Sequence, residues 1–210
     1  MKIAIVDYGM GNLKSVQKAF TALGFDAEIT NSRQVIQNAH KVLLPGVGAF
    51  KDAICELNET GLAEAVKEAV KAGKPILGIC LGMQLLFDKS YEYGECEGLK
   101  LLPGEIVRFN QEEMCLPNGE MLKVPHMGWN NLEIVKKAPL FEGLKDGSSV
   151  YFVHSYYLQT TADIVSSYTT YGKRIAIAAQ KDNIFATQFH PEKSGDVGLQ
   201  ILRNFGGLKA

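Results

Sequence analysis

The chain has 210 residues, 46% of them hydrophobic, which is enough to bury a substantial core within the size range of one domain. Its 22 basic and 23 acidic residues are interspersed and give a formal net charge of −1, which excludes the electrostatic footprint of a nucleic-acid or anionic-membrane binder. Charge interrupts the N-terminal apolar run from Lys2 to Asp7 too soon for a signal peptide or a membrane span, and the cysteines lack metal or redox spacing, so a reducing, cytoplasmic setting is expected.

Residues 2–6 form an apolar run of strand length. Residues 12–23 read as a helix capped by Asn12, with Leu13, Val16, Phe20 and Leu23 on one face and Gly24 as its stop. A strand at Ala27–Thr30, a helical stretch opened by Asn31 and Ser32, and a strand at Lys41–Leu44 follow. Helices near 49–57 and 61–72 then lead to a strand running from Pro75 to Ile79. Strands alternating with helices imply right-handed crossovers and a parallel sheet, with ligands gathered outside the carboxyl ends of its strands. From about residue 99 the pattern changes to short β pieces at 104–109, 132–135, 150–153, 164–168, 175–180 and 184–189. The tripeptide Lys181, Asp182, Asn183 marks a hairpin between the last two, and residues 195–205 close as a helix. The expected fold is therefore α/β: a mostly parallel central sheet flanked by helices, with antiparallel strands in the C-terminal half, forming a single domain over 1–210.

Cys80 lies between Gly78 and Gly82 where the Pro75–Ile79 strand gives way to a helical pattern carrying Leu81, Met83, Gln84, Leu85 and Phe87. A residue at such an apex takes a strained backbone conformation, and glycines on either side relieve collisions with neighbouring backbone. The sulfur is lifted over the first free N–H groups of the helix, which favour thiolate. A cysteine near glycine can equally be a small buried apolar residue, and that reading is adopted for Cys55, Cys96 and Cys115. A nucleophile needs a base, and the last strand ends in Gln188, Phe189, His190, Pro191, Glu192. Proline holds His190 extended, and in extended chain residues two apart share a side, which sets the Glu192 carboxylate beside the His190 ring. Cys80, His190 and Glu192 then form a triad, with Glu192 orienting the ring and stabilising the imidazolium. A histidine and glutamate two apart also occur as a solvated pair. Donors for an oxyanion would come from the Leu81 N–H and from the loop Pro45, Gly46, Val47, Gly48, whose alternative is an ordinary proline-glycine turn.

Gly9 and Gly11, after a strand and before a helix, suggest a nucleotide loop, but Lys14 stands where the third glycine belongs and no phosphate-loop lysine motif exists. Among His40, His126, His154 and His190 no metal-ligand spacing is present, and no cofactor is expected.

Cys-Leu-Gly-Met-Gln at 80–84, Pro-Gly-Val-Gly at 45–48 and Phe-His-Pro-Glu-Lys-Ser at 189–194 resemble the class I, triad-type glutamine amidotransferases, and the resemblance spans the chain. Asp-Tyr-Gly-Met-Gly-Asn at 7–12, Pro-His-Met-Gly-Trp-Asn at 125–130 and Val-His-Ser-Tyr-Tyr at 153–157 resemble one branch of that family, the glutaminase subunits of imidazole glycerol phosphate synthases. The resemblance implies attack on the glutamine side-chain amide, a thioester, and release of ammonia and glutamate. It implies glutamine binding by Gly48, Gln84, Glu92, Ser155 and Tyr156, and an oxyanion loop of Val47 and Gly48 with Leu81. It also implies a (β/α)8-barrel cyclase partner that uses the ammonia to form imidazole glycerol phosphate and an aminoimidazole carboxamide ribotide. Asn12, Pro125, His126, Met127, Trp129 and Asn130 would face that partner. By residue type alone, Trp129 reads as core and His126 as surface polar, a preference the resemblance reverses. The alternatives are an amidotransferase subunit for anthranilate or aminodeoxychorismate synthesis, a stand-alone cysteine peptidase or amidase, and a noncatalytic binding module.

Overall fold

In the computed structural model, which describes residues 1–116 and 119–209, the first half follows the expected order. It runs β1 (Lys2–Val6), α1 (Leu13–Ala22), β2 (Asp26–Thr30), α2 (Arg33–Asn38), β3 (Lys41–Gly46), α3 (Phe50–Glu59), α4 (Leu62–Lys71), β4 (Ile76–Cys80) and a short α5 (Leu81–Leu85). The second half holds β5 (Lys89–Ser90), β6 (Cys96–Glu97), β7 (Glu105–Arg108), β8 (His126–Asn131), β9 (Glu133–Ile134), β10 (Ser149–His154) and β11 (Tyr156–Gln159). It ends with β12 (Val165–Tyr171), β13 (Lys173–Lys181), β14 (Ile184–Thr187) and α6 (Gly195–Gly207).

The main sheet has the order β2-β1-β3-β4-β14-β13-β11-β7-β5-β6, with β12 and β9 branching from β13, and β8 pairs with β10 in a small separate sheet. From β2 to β14 every neighbouring pair is parallel. Beyond β14 the ladder turns antiparallel through β13 and β11. The expected α/β class with a parallel first half and antiparallel second half is what forms.

Alternation along the parallel strands assigns each side chain to a layer. Ile3, Ile5, Leu43, Leu77 and Ile79 meet α1 and α6 through Val16, Phe20, Ile201 and Phe205. Ala4, Val6, Val42, Leu44 and Ile76 meet α2, α3 and α4 through Ile36, Ala53, Leu57, Leu62 and Val66. Both faces are covered, which is why these strands read as unbroken apolar runs.

Gly24 stops α1 as expected. At φ +82° it lets Phe25 N–H reach the Phe20 carbonyl at 3.0 Å and its own N–H reach that of Thr21 at 3.0 Å, and the Phe20 and Phe25 rings pack edge-on. Asn12 precedes α1 but its side chain makes no capping hydrogen bond: its ψ of 59° is not the extended one a cap uses, and the residue stays exposed. The hairpin at 181–183 forms, with Asp182 at φ +51°.

Some local expectations give way. Strands β8 and β11 carry no simple apolar alternation and were not expected, and α5 ends at Leu85, short of Phe87. Cys55 is exposed, and Cys96 and Cys115 are half-buried, so none of them is the small core residue its type suggests. Cys55 lies on the outer face of α3, where its thiol donates to the Glu59 carboxylate, 3.2 Å away.

Candidate active site

The parallel register brings the chemistry together. Gly46 at the end of β3 is opposite Cys80 at the end of β4, and Thr187 at the end of β14 is opposite Ile79. Three adjacent strands therefore deliver the Pro45–Gly48 loop, Cys80 and the His190 segment to one sheet edge.

Cys80 has φ +56° and ψ −113°, the strained conformation expected at the apex. Its flanking glycines answer to packing. A Cβ on Gly82 would lie 1.8 Å from the Leu44 carbonyl oxygen, and one on Gly78 within 2.8 Å of the Gly82 oxygen and the Met83 Cα. Gly46 is held as closely, since a Cβ there would meet the Tyr8 hydroxyl, which donates to the Pro45 carbonyl at 2.9 Å. The Cys80 sulfur is 3.9 Å from the Val153 carbonyl and 3.9 Å from the Gln188 amide nitrogen.

His190 Nδ1 and Glu192 Oε1 are 2.8 Å apart, with side chains 3% and 1% exposed. The route to this contact differs from the extended one expected: β14 ends at Thr187, and Pro191–Lys193 is a 3-10 turn. Proline at its first position starts the turn, which curls Glu192 back to the ring that an extended chain would only have flanked. The His190 backbone is clamped as well, its N–H donating to the Tyr151 carbonyl at 3.0 Å and its carbonyl accepting from the Ser194 hydroxyl at 2.6 Å. Nε2 of His190 is buried without a hydrogen-bond partner among the described residues, and Cys80 is its interacting neighbour. Burial is the largest influence on this ring and opposes its charge. The Cys80 sulfur and the Glu192 carboxylate together outweigh it and raise the pKa to about 9. A buried thiol beside a ring that holds its proton at neutral pH can react as a thiolate and hand a proton to a leaving group.

A cleft of about 270 Å³ opens over the sulfur, lined by Val47, Gly48, Leu81, Gln84, Glu92, Ser155, Tyr156 and His190. Every residue expected to bind glutamine is on its wall, and so are both loop residues and Leu81. Gly48 has φ +107°, a conformation that a side chain would strain. Glu92 accepts from the Phe50 N–H at 2.7 Å, at the start of α3. Pro125, Val153 and His154 line the cleft too, and the sequence had assigned only Pro125, to the partner surface.

Of the residues expected at a partner surface, Asn12, Pro125, Met127 and Trp129 are exposed and Asn130 is half-buried, but His126 is only 2% exposed. Alternation in β8 decides this, turning Met127 and Trp129 outward and His126 inward. The exposed Trp129 also corrects its reading as core. The His126 ring is stacked between Phe152 and Tyr171, with centroids 4.6 and 4.0 Å away. Its Nδ1 is 2.9 Å from His154 Nε2, and His154 Nδ1 is 2.7 Å from the Tyr156 carbonyl. Burial lowers the His126 pKa to about 4. Burial, and then His126 itself, lower that of His154 to about 3 against the pull of the carbonyl.

Sequence reading overlooked Gln188, which is fully buried and touches both Gln84 and the sulfur. Its place two residues before His190, directly after the end of β14, was the available signal.

The profile of the glutamine amidotransferase class-I family matches residues 4–206. The imidazole glycerol phosphate synthase subunit HisH of Syntrophotalea carbinolica is 51% identical over 207 residues, 98% of this chain and 100% of that protein. The HisH subunit of Caldanaerobacter subterraneus subsp. tengcongensis is 53% identical over 207 residues, 98% of each chain. A solved glutamine amidotransferase superposes with a TM-score of 0.73 at 19% identity, covering 98% of this chain and 99% of that one, a likeness of fold.

Proposed function

Because this chain belongs to the class-I glutamine amidotransferases and, within them, to the HisH subunits of imidazole glycerol phosphate synthase, we propose that it is the glutaminase subunit of that enzyme in histidine biosynthesis. The observation that carries the reading is the positive-φ Cys80 beside a buried His190 whose pKa is raised and whose far nitrogen is held by Glu192.

In this mechanism glutamine enters the cleft with its side chain over Cys80, its amino-acid end held by Glu92, Ser155 and Tyr156, and Gln84 beside the reacting amide. The sulfur, as thiolate against the His190 imidazolium, attacks the carboxamide carbon. The C–O π pair moves onto oxygen, where the Leu81 N–H and an N–H from the Val47–Gly48 loop would receive it. His190 protonates the amide nitrogen, the C–N bond breaks, ammonia leaves, and a thioester remains. The ring then takes a proton from water, which attacks the thioester and releases glutamate and the thiolate. Glu192 keeps the ring oriented and stabilises its charge in both halves of the cycle.

The partner is a (β/α)8-barrel cyclase in the cytoplasm, docking on the face that carries Asn12, Pro125, Met127 and Trp129. It combines the ammonia with a phosphoribulosyl aminoimidazole-carboxamide nucleotide. The conformation of Gly48 supports a control step at the oxyanion loop: reversing the Val47–Gly48 peptide changes the sign of φ at Gly48, which glycine alone accepts freely. A resting loop with its carbonyl inward would lack one oxyanion donor, which lowers the rate on the order of 100- to 1,000-fold.

The test is Cys80→Ser in the assembled complex. Glutamine-dependent synthesis is lost while synthesis from added ammonium salt persists, since only the ammonia source is removed. Loss of both activities in a folded, assembled complex would overturn the assignment, and hydrolysis of peptides indifferent to glutamine analogues would favour a stand-alone amidase.

A further inference from the structure

Gln188 sits at full burial below the cleft, and the hydrogen bonds around it decide which way its amide faces. The Gln84 amide nitrogen is 3.4 Å from the Tyr156 carbonyl, a group that can only accept, so Gln84 turns its NH2 to that side. The same NH2 donates to Gln188 Oε1 at 3.0 Å. The Gln188 oxygen is thereby taken up by Gln84, and its NH2 is left aimed at the Cys80 sulfur, 3.9 Å away. Opposing it, the Val153 carbonyl at 3.9 Å can only accept and so favours the thiol.

The Tyr156 carbonyl that fixes this arrangement is itself fixed from the other side. It accepts from His154 Nδ1, so His154 Nε2 carries no proton and accepts from His126 Nδ1. His126 Nε2 is then an acceptor, facing the Asn130 amide nitrogen at 3.4 Å. Asn130 is oriented in turn, donating to the Thr170 carbonyl at 2.9 Å and accepting from the Asn131 N–H at 2.8 Å. Backbone groups thus set the proton order of the whole line, from the strand that bears Met127 and Trp129 to the nucleophile.

We propose that Gln188 is a positioning residue for the nucleophile: its amide donates to the Cys80 sulfur and favours the thiolate, and it is aimed there by the Gln84, Tyr156, His154, His126 and Asn130 line. The inference deepens the glutaminase reading and rests on it for the role of the thiolate, but its test needs no glutamine. No proton is transferred along the line; the neutral groups orient one another, and the final N–H supplies a dipole to the sulfur.

The experiment measures alkylation of Cys80 by iodoacetamide across a pH series, read by mass spectrometry on the peptide that contains it. The expected result for Gln188→Leu is alkylation about three- to tenfold slower at pH 7, the effect of losing one long hydrogen bond to sulfur, weaker than a short charge-assisted one, with a profile moved to higher pH. In the complex, kcat for glutamine falls while KM changes little, since Gln188 does not line the cleft. Gln188→Glu keeps the bond from Gln84 and replaces the donor by an acceptor, so it slows alkylation further than Gln188→Leu. Wild-type alkylation profiles for both variants, with native near-UV dichroism, would overturn the proposal while leaving the glutaminase assignment standing. Failure of the glutaminase reading shows separately, as absence of glutamate release from the wild-type complex.

Discussion

Two imidazoles lean on the same cleft and are driven in opposite directions. His190, at the end of the parallel sheet, is raised to about pKa 9, whereas His154, at the end of the antiparallel β10, is lowered to about 3. Burial acts against charge on both. What separates them is company: His190 has a carboxylate and a sulfur within reach, while His154 has a neutral histidine and a carbonyl. A buried histidine carries a proton only where an anion compensates the lost hydration, and otherwise it becomes a neutral strut whose tautomer is fixed by its partners. The strand ends of one sheet thus supply a charge carrier, and the small β8–β10 sheet supplies a rigid wall.

Replacing the charge carrier breaks the contrast most severely. In the proposed mechanism His190→Ala removes the proton donor for the leaving ammonia, and glutamate release in the assembled complex is expected to fall on the order of 100- to 10,000-fold. Full activity in that variant would remove His190 from the mechanism. Glu192→Gln retains the size and removes the compensating charge, with a smaller loss, on the order of tenfold. The pH dependence of kcat/KM sharpens the point. In the wild type the ring is protonated below about 9, so the rate declines as pH rises through that value. Without the carboxylate the alkaline limb moves to lower pH, and an unmoved limb would mean that Glu192 does not hold the proton in place.

The neutral strut gives subtler effects. His126→Phe preserves an aromatic ring between Phe152 and Tyr171 but deletes the donor to His154. Under the control step proposed at the oxyanion loop, the partner and its nucleotide substrate raise the glutaminase rate, and that raised rate is expected to fall by about three- to tenfold, more than the basal rate, because the polar line is cut on the partner side. Equal falls in both rates would show that the line carries no signal. Trp129 is 58% exposed beside Met127, which is 63% exposed, and Trp129→Ala should raise the dissociation constant for the proposed cyclase partner by about tenfold or more, measured by calorimetry. Unchanged affinity would move the docking face elsewhere.

The contrast between the halves also divides what was legible in the sequence. Apolar runs at 2–6, 41–44 and 75–79, the glycine stop at 24 and the glycines at 78 and 82 are local signals, because strand period and helix termination depend on neighbours a few positions away. They were sufficient to read the parallel half, the elbow under Cys80 and the Pro45–Gly48 loop beside it, and the motif at 189–194 indicated the His190–Glu192 pair. Local reading also had the right residues but the wrong geometry for Glu192, because a proline that ends a strand can equally start a 3-10 turn.

What remained hidden depends on contacts made across long stretches of chain. His126 meets His154, 28 positions away, and Gln84 meets Gln188, 104 positions away. No periodicity marks either pair, since a polar side chain becomes buried only when another element arrives to satisfy it. The sequence by itself determined the layers and singled out Cys80, His190 and Glu192, the residues proposed as nucleophile, base and orienting carboxylate. Tertiary structure alone decided which polar groups face the sulfur, because their orientation is set by hydrogen-bond partners that folding brings together.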